Sequence, residues 1–151
     1  DLVPADALRE GWHHVLDGLD AHNRPVSLIH EDSPALRRMA VFDIVVNNAD
    51  RKGGHVLEMP GGHRHGIDHG LTFHAEHKLR TVLWGWIDEE LTADELAGVE
   101  TVHTNLSDLA LSELLTDEEI DALSARCDRL LRTKRFPAPA GDMPAVPWPP
   151  F

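Results

Sequence analysis

The pattern of apolar and polar positions divides the chain into a β-rich opening, a central stretch dense in motifs, and a helical second half. Residues 5–10 read as a short helical turn. Trp12 to Asp20 and the partly β-branched Val26 to His30 read as two strands, with Ala21-His-Asn-Arg-Pro25 as the turn between them. Ser33-Pro34 is a helix opening: Ser caps, and Pro suits the first turn. Leu36, Met39, Ala40 and the Asp43/Ile44 pair follow at helical spacing and predict a helix from Pro34 to about Asn47. Pro60-Gly61-Gly62 separates His55–Met59 from His63–Ile67 and predicts a hairpin. Thr81-Val-Leu-Trp84-Gly-Trp86 is apolar and aromatic and is expected to be buried. Thr92 with Glu95, and Thr116 with Glu119, are capping boxes that open two further helices. Leu96, Val99 and Val102 carry the first towards Asn105. Ile120, Leu123, Cys127, Leu130 and Leu131 give the second one apolar face. Leu106, Leu109, Leu111, Leu114 and Leu115 extend the helical reading between them. Residues 136–151 carry six prolines, so an extended tail is expected, with Trp148 and Phe151 as anchors.

The chemistry gathers between Asp43 and His74. Asp50-Arg51-Lys52-Gly-Gly-His55 follows the first long helix, and Ile67-Asp68-His69-Gly70 follows the hairpin. A hairpin brings its own ends together, so Asp50 and Asp68 are expected to face one cleft. Protein kinases place a catalytic-loop Asp at the acceptor hydroxyl and a metal-binding side chain five positions later. A second Asp opens their Asp-x-Gly motif. His55 stands five positions after Asp50 here, and Asp68-His69-Gly70 fits Asp-x-Gly. On these residues the stretch resembles the catalytic core of phosphatidylinositol 3- and 4-kinase-like proteins, which carry Asp-Arg-x-x-x-Asn and then Ile-Asp-x-Gly. Through Asn47–His55 and Ile67–His74 it is most similar to an actinobacterial branch of that superfamily. The motif match covers Asp43 to about Trp86.

The resemblance implies a mainly α fold with a small β-hairpin (α+β), the C-terminal large lobe of a kinase-like protein. Residues 1–136 would form that lobe, with the catalytic core at about 34–86 and a helical scaffold at 87–136. Residues 137–151 form the tail. It also implies transfer of the ATP γ-phosphoryl group to a hydroxyl acceptor. Asp50 orients or deprotonates the acceptor, Arg51 stands at the Arg of the Asp-Arg pair, and Lys52 supports transferred charge. Asp68 and His55 bind the nucleotide through Mg2+ or Mn2+. His55 replaces an Asn. An imidazole suits manganese, zinc or iron better than magnesium, so the replacement implies a shifted metal preference, a His55 that binds no metal while Asp68 carries the ion, or a site without turnover. Gly70 is expected to let the chain turn sharply after Asp68. Leu71 to Trp86 would be the activation-segment-like region, made locally basic by His74, His77, Lys78 and Arg80.

Composition changes this picture in three ways. The chain begins with Asp1 rather than Met and contains no glycine-rich phosphate loop. Its lysines are Lys52, Lys78 and Lys134, none on a strand that could hold phosphates, so the small N-terminal lobe is expected to be missing. A net charge of -12 argues against nucleic acid as a partner and sits awkwardly with an anionic lipid surface. With no apolar run of membrane-spanning length and no signal peptide, a cytoplasmic protein without a transmembrane segment is expected. Cys127 stands alone, so no internal disulfide forms, and it reads as a core residue. Two other readings stay open. One is a pseudokinase or nucleotide-binding interaction module. The other is a metal-dependent hydrolase built on His55, His63, His65, His69, His74 and His77, which would need three well-placed ligands. His13, His14, His22 and His30 read as ordinary surface or core histidines. The identity of the acceptor, whether lipid, polyol or protein side chain, is left open.

Overall fold

Helix α1 (Pro34–Val46) is the central element, and its two ends explain its length. The Ser33 hydroxyl accepts from the Leu36 amide at the start, and Pro34 occupies the first turn. At the other end Asn47 takes a left-handed conformation with φ 56. Asn adopts that region more readily than most residues, so the chain turns out of the helix there. The computed structural model describes residues 1–7, 9–108 and 110–151. Leu8, within the turn expected at 5–10, and Leu109, within the apolar run 106–115, lie outside the described residues.

Two small antiparallel sheets flank this helix in sequence. The first contains β1 (Leu2–Pro4), β2 (Trp12–Leu19) and β3 (Pro25–Glu31) in the order β1-β3-β2. β3 is the middle strand and is buried over Ser27–His30. The β2–β3 hairpin runs from Trp12↔Glu31 to Leu19↔Pro25, with an irregularity between His14 and Leu16. The second sheet is the expected hairpin: β4 (Val56–Glu58) pairs with β5 (Arg64–Gly66). Its turn uses Gly61 and Gly62 at φ 77, a region costly for a residue with a Cβ.

Two helices complete the scaffold. α2 (Ala93–Thr104) and α3 (Asp117–Thr133) both begin with the predicted capping boxes, in which side chain and backbone are satisfied reciprocally. The core forms where α1 meets α3, α2 and the segment after the hairpin. Leu36, Met39, Ala40, Val41, Val45 and Val46 of α1 pack with Leu123, Cys127 and Leu130 of α3 and Val99 of α2. Trp86 is fully buried among them. Each such aliphatic side chain contributes about 1.5–3 kcal/mol by leaving water.

The structure departs from the expected elements at four places. Two small sheets accompany the three helices, so the chain is more evenly mixed than one hairpin among helices. Residues 2–4 form a strand, because β3 offers them an edge. Residues 106–108 and 111–113 form two short 3₁₀ turns rather than a helix, and Leu114 points to solvent. In the tail, Trp148 is exposed, while Pro147 is fully buried. The tail is held chiefly through its backbone: the Ala145 carbonyl accepts from the Thr81 amide at 3.0 Å and from the Trp84 indole at 2.8 Å. Among the described residues no helix is long and apolar enough to cross a membrane.

Candidate functional site

The loop after α1 is built by two buried asparagines. Asn47 donates to the carbonyls of His74 and Glu76 at 2.8 and 2.7 Å, and its own carbonyl accepts from the Lys78 amide at 2.9 Å. It thereby ties the 74–78 segment to the end of α1. Asn48 donates to the Asp43 carboxylate at 2.9 Å and accepts from the Asp50 amide at 3.0 Å. Each asparagine uses both ends of its amide, as buried polar groups must.

Beneath this loop lies an ion pair with no solvent exposure. Arg51 places Nε and Nη2 on the two Asp43 carboxylate oxygens, both at 2.8 Å. Its Nη1 donates to the carbonyls of His55 and Ile67, both at 3.2 Å. The Ile67 amide meets the His55 carbonyl at 3.0 Å. Arg51 therefore closes the base of the β4–β5 hairpin, and Asp43 holds it there. Arg51, expected among the catalytic residues, is buried on Asp43 and the hairpin carbonyls, where it positions the residues on either side of it.

Closure of the hairpin base brings together four of the residues singled out from sequence. Lys52 lies 3.3 Å from the Asp50 carboxylate, both being partly exposed. His55 Nδ1 is 2.9 Å from the Asp50 carbonyl, and His55 Nε2 is 3.5 Å from the Asp68 carboxylate. A carbonyl can only accept, so Nδ1 carries the proton. In the neutral ring Nε2 then presents a lone pair to a carboxylate, which is also an acceptor. Two acceptors so placed are bridged by a proton, a water or a cation. The arrangement matches metal-ligating histidines, whose other nitrogen is oriented by a carbonyl or carboxylate. Asp68 and His55 are a pair that could supply two ligands to a metal ion, and an imidazole nitrogen suits manganese better than magnesium.

Asp68 itself takes φ 56, whereas Gly70 has no left-handed φ. The sharp turn expected at Gly70 is thus made at Asp68, a residue type tolerant of that region. Phe73 also has a positive φ, 67, where its amide bonds the Val46 carbonyl.

The other histidines are dispersed. His69 Nε2 accepts from Arg51 at 2.8 Å. His63 and His65 bond each other on the outer hairpin at 3.1 Å. Burial, with Arg129 and Arg126 nearby, holds His77 below the ordinary imidazole range. Among the described residues no three His, Cys, Asp or Glu side chains group closely enough to hold a metal by themselves. An ion at Asp68 and His55 would need ligands from its substrate. Of the N-terminal histidines, His30 is a core residue. Burial lowers its pKa to about 4, and its Nε2 accepts from the Gly85 amide at 3.0 Å.

A cleft of about 440 Å³ opens between the first sheet and the hairpin. Ile29, Leu36, Val56 and Leu83 give it apolar walls, and Gly53 of the loop forms part of its edge. Sequence reasoning missed the partner that holds this edge. The Pro150 carbonyl accepts from the Gly53 amide at 2.8 Å, and a Cβ on Gly53 would lie 2.2 Å from the Phe151 ring. The glycine there makes room for the tail, a contact across nearly a hundred residues that no local pattern announces.

A protein of Mycobacterium tuberculosis (strain ATCC 25618 / H37Rv), described as Protein Rv2133c, is 44% identical to the chain over 155 residues. The match takes in all of this chain and 55% of the relative, so the chain spans about half the length of the curated protein it matches. No protein-family model and no solved structure matches it.

Proposed function

We propose that the protein is an ATP-dependent phosphotransferase of phosphatidylinositol 3-/4-kinase-like type, moving the γ-phosphoryl group to a hydroxyl acceptor. The observation that carries this reading is the junction at His55. One ring nitrogen is tied to the Asp50 backbone, and the other faces the Asp68 carboxylate. Residue types that phosphoryl transfer uses thus lie together around His55, which supports this reading.

In this account Asp50 accepts the proton of the acceptor hydroxyl. The acceptor oxygen forms a bond to the γ-phosphorus as the bond from that phosphorus to the β-bridging oxygen breaks, and ADP departs. Lys52, already 3.3 Å from Asp50, sits where it can offset negative charge on the transferred group. A divalent ion held by Asp68 and His55 would neutralise the nucleotide phosphates, which would complete its ligand set. Asp43 and Arg51 do not touch substrate; they keep the loop and the hairpin base in register.

The test is ADP formation and label transfer from γ-labelled ATP, with Mn2+ and with Mg2+, in the parent and in Asp50→Asn and Asp68→Ala. The reading expects turnover that favours Mn2+ and falls by about a hundredfold or more in each variant. Turnover unaffected by both substitutions overturns it. ATP bound without turnover favours the nucleotide-binding module instead.

A further inference from the structure

A second concavity, of about 240 Å³, lies between α1 and the hairpin and is lined in part by Arg51. Its helical wall is the stripe Ala35, Arg38, Met39 and Phe42, spaced as neighbours on one helix face. Its other wall carries Arg64, Gly66 and His69. No carboxylate-bearing residue lines it, in a chain with 26 acidic residues and a net charge of -12.

The basic groups there are not equivalent. Arg51 is neutralised by Asp43, and Arg64 by Glu31, which it meets with Nε and Nη2 at 3.0 Å each. The Arg38 side chain is exposed and makes no hydrogen bond or ion pair among the described residues. It is the cation left over. His69 adds a donor. Its Nε2 accepts from Arg51, so the proton of the neutral ring is on Nδ1, which has no partner among the described residues. Gly66 is part of the cradle: a Cβ there would lie 3.2 Å from the His69 ring and 3.3 Å from the Arg51 guanidinium.

We infer that this concavity is an anion site for a small phosphate monoester. The Arg38 fork takes the phosphate oxygens, as guanidinium geometry favours. His69 donates from the opposite wall, and Ala35, Met39 and Phe42 cover the ester carbons. The site is separate from the metal–nucleotide reading at Asp68 and does not depend on it.

The experiment is calorimetric titration of the chain at low ionic strength, without nucleotide or divalent metal, using inorganic phosphate and glycerol phosphate as probes. Both probes are expected to bind, the monoester at least as tightly. Arg38→Ala is expected to weaken binding by about tenfold or more, and Arg38→Lys by less. Arg38 is exposed, so the variants are expected to fold, which their thermal transitions check. Arg24→Ala, at an exposed arginine paired with Asp20, is expected to leave affinity unchanged. No binding by the folded parent at about 10 mM probe, or equal binding by Arg38→Ala, overturns the inference.

Discussion

Asp43→Ala tests the physical basis of the site, because the structure states what the substitution removes. Asp43 is fully buried and accepts three hydrogen bonds, two from Arg51 and one from Asn48. Alanine would leave a guanidinium charge in the interior without its counter-ion and an asparagine amide with one fewer partner. Removing one member of a buried pair costs about 3–5 kcal/mol, chiefly because the other charge stays desolvated. Domains of this size are stable by about 5–15 kcal/mol in total, so the variant should be severely weakened. In urea, with a slope of about 2 kcal/mol per M, the unfolding midpoint should fall by about 1.5–2.5 M. The control is the double variant Asp43→Leu/Arg51→Met, which removes both charges. It should be less destabilised than the sum of its two single variants by at least about 2 kcal/mol. A loss below about 1 kcal/mol for Asp43→Ala, or single-variant losses that simply add, would refute the claim that this pair anchors the loop.

Two further predictions rest on the core beside the first sheet. Burial holds the folded-state pKa of His30 at about 4, below its ordinary 6.5, so between those values the unfolded chain binds a proton that the native chain does not. The stability associated with neutral His30 is fully present above about pH 6.5. It is lost as pH falls towards 4, by up to about 3 kcal/mol, and His30→Phe should flatten that part of the stability–pH curve measured in urea. Gly85→Ala would put a Cβ 2.3 Å from the His13 Cβ and 2.5 Å from the His30 ring, so a drop of about 1–3 kcal/mol is expected in the same assay.

Much of the fold is legible because its signals are local. Ser33-Pro34 starts α1, Thr92/Glu95 and Thr116/Glu119 start α2 and α3, and Pro60-Gly61-Gly62 turns the hairpin. Each involves residues a few positions apart, so the chain declares them without its tertiary context. Strand β1 could not be read this way, since three residues ending in Pro4 carry no periodicity and exist as a strand only against β3. The site divides along the same line. Asp50, Lys52, His55 and Asp68 were singled out by type, spacing and resemblance, and the structure brings them close around His55. The burial of Arg51 was not recognisable. An Asp-Arg-Lys run reads as a polar turn, and only the packing of α1 against the hairpin base shows that its middle residue faces inward. Long-range contacts were equally silent. Arg37 pairs with Glu95 across 58 positions, and the tail reaches Gly53 through Pro150. Trp148 misled for a related reason: a large aromatic suggests an anchor, whereas the tail is fastened through carbonyls and the buried Pro147.

The most direct test of the proposed metal–nucleotide site is paramagnetic broadening of the histidine ring signals by Mn2+, with and without ATP. His103, packed between α2 and α3 beside Ser124, is the reference. The account predicts that Mn2+ with ATP broadens the His55 signals first, that ATP strengthens the effect, and that Asp68→Ala abolishes it while His103 stays sharp. His55 signals that remain as sharp as those of His103 at saturating Mn2+ and ATP would contradict it.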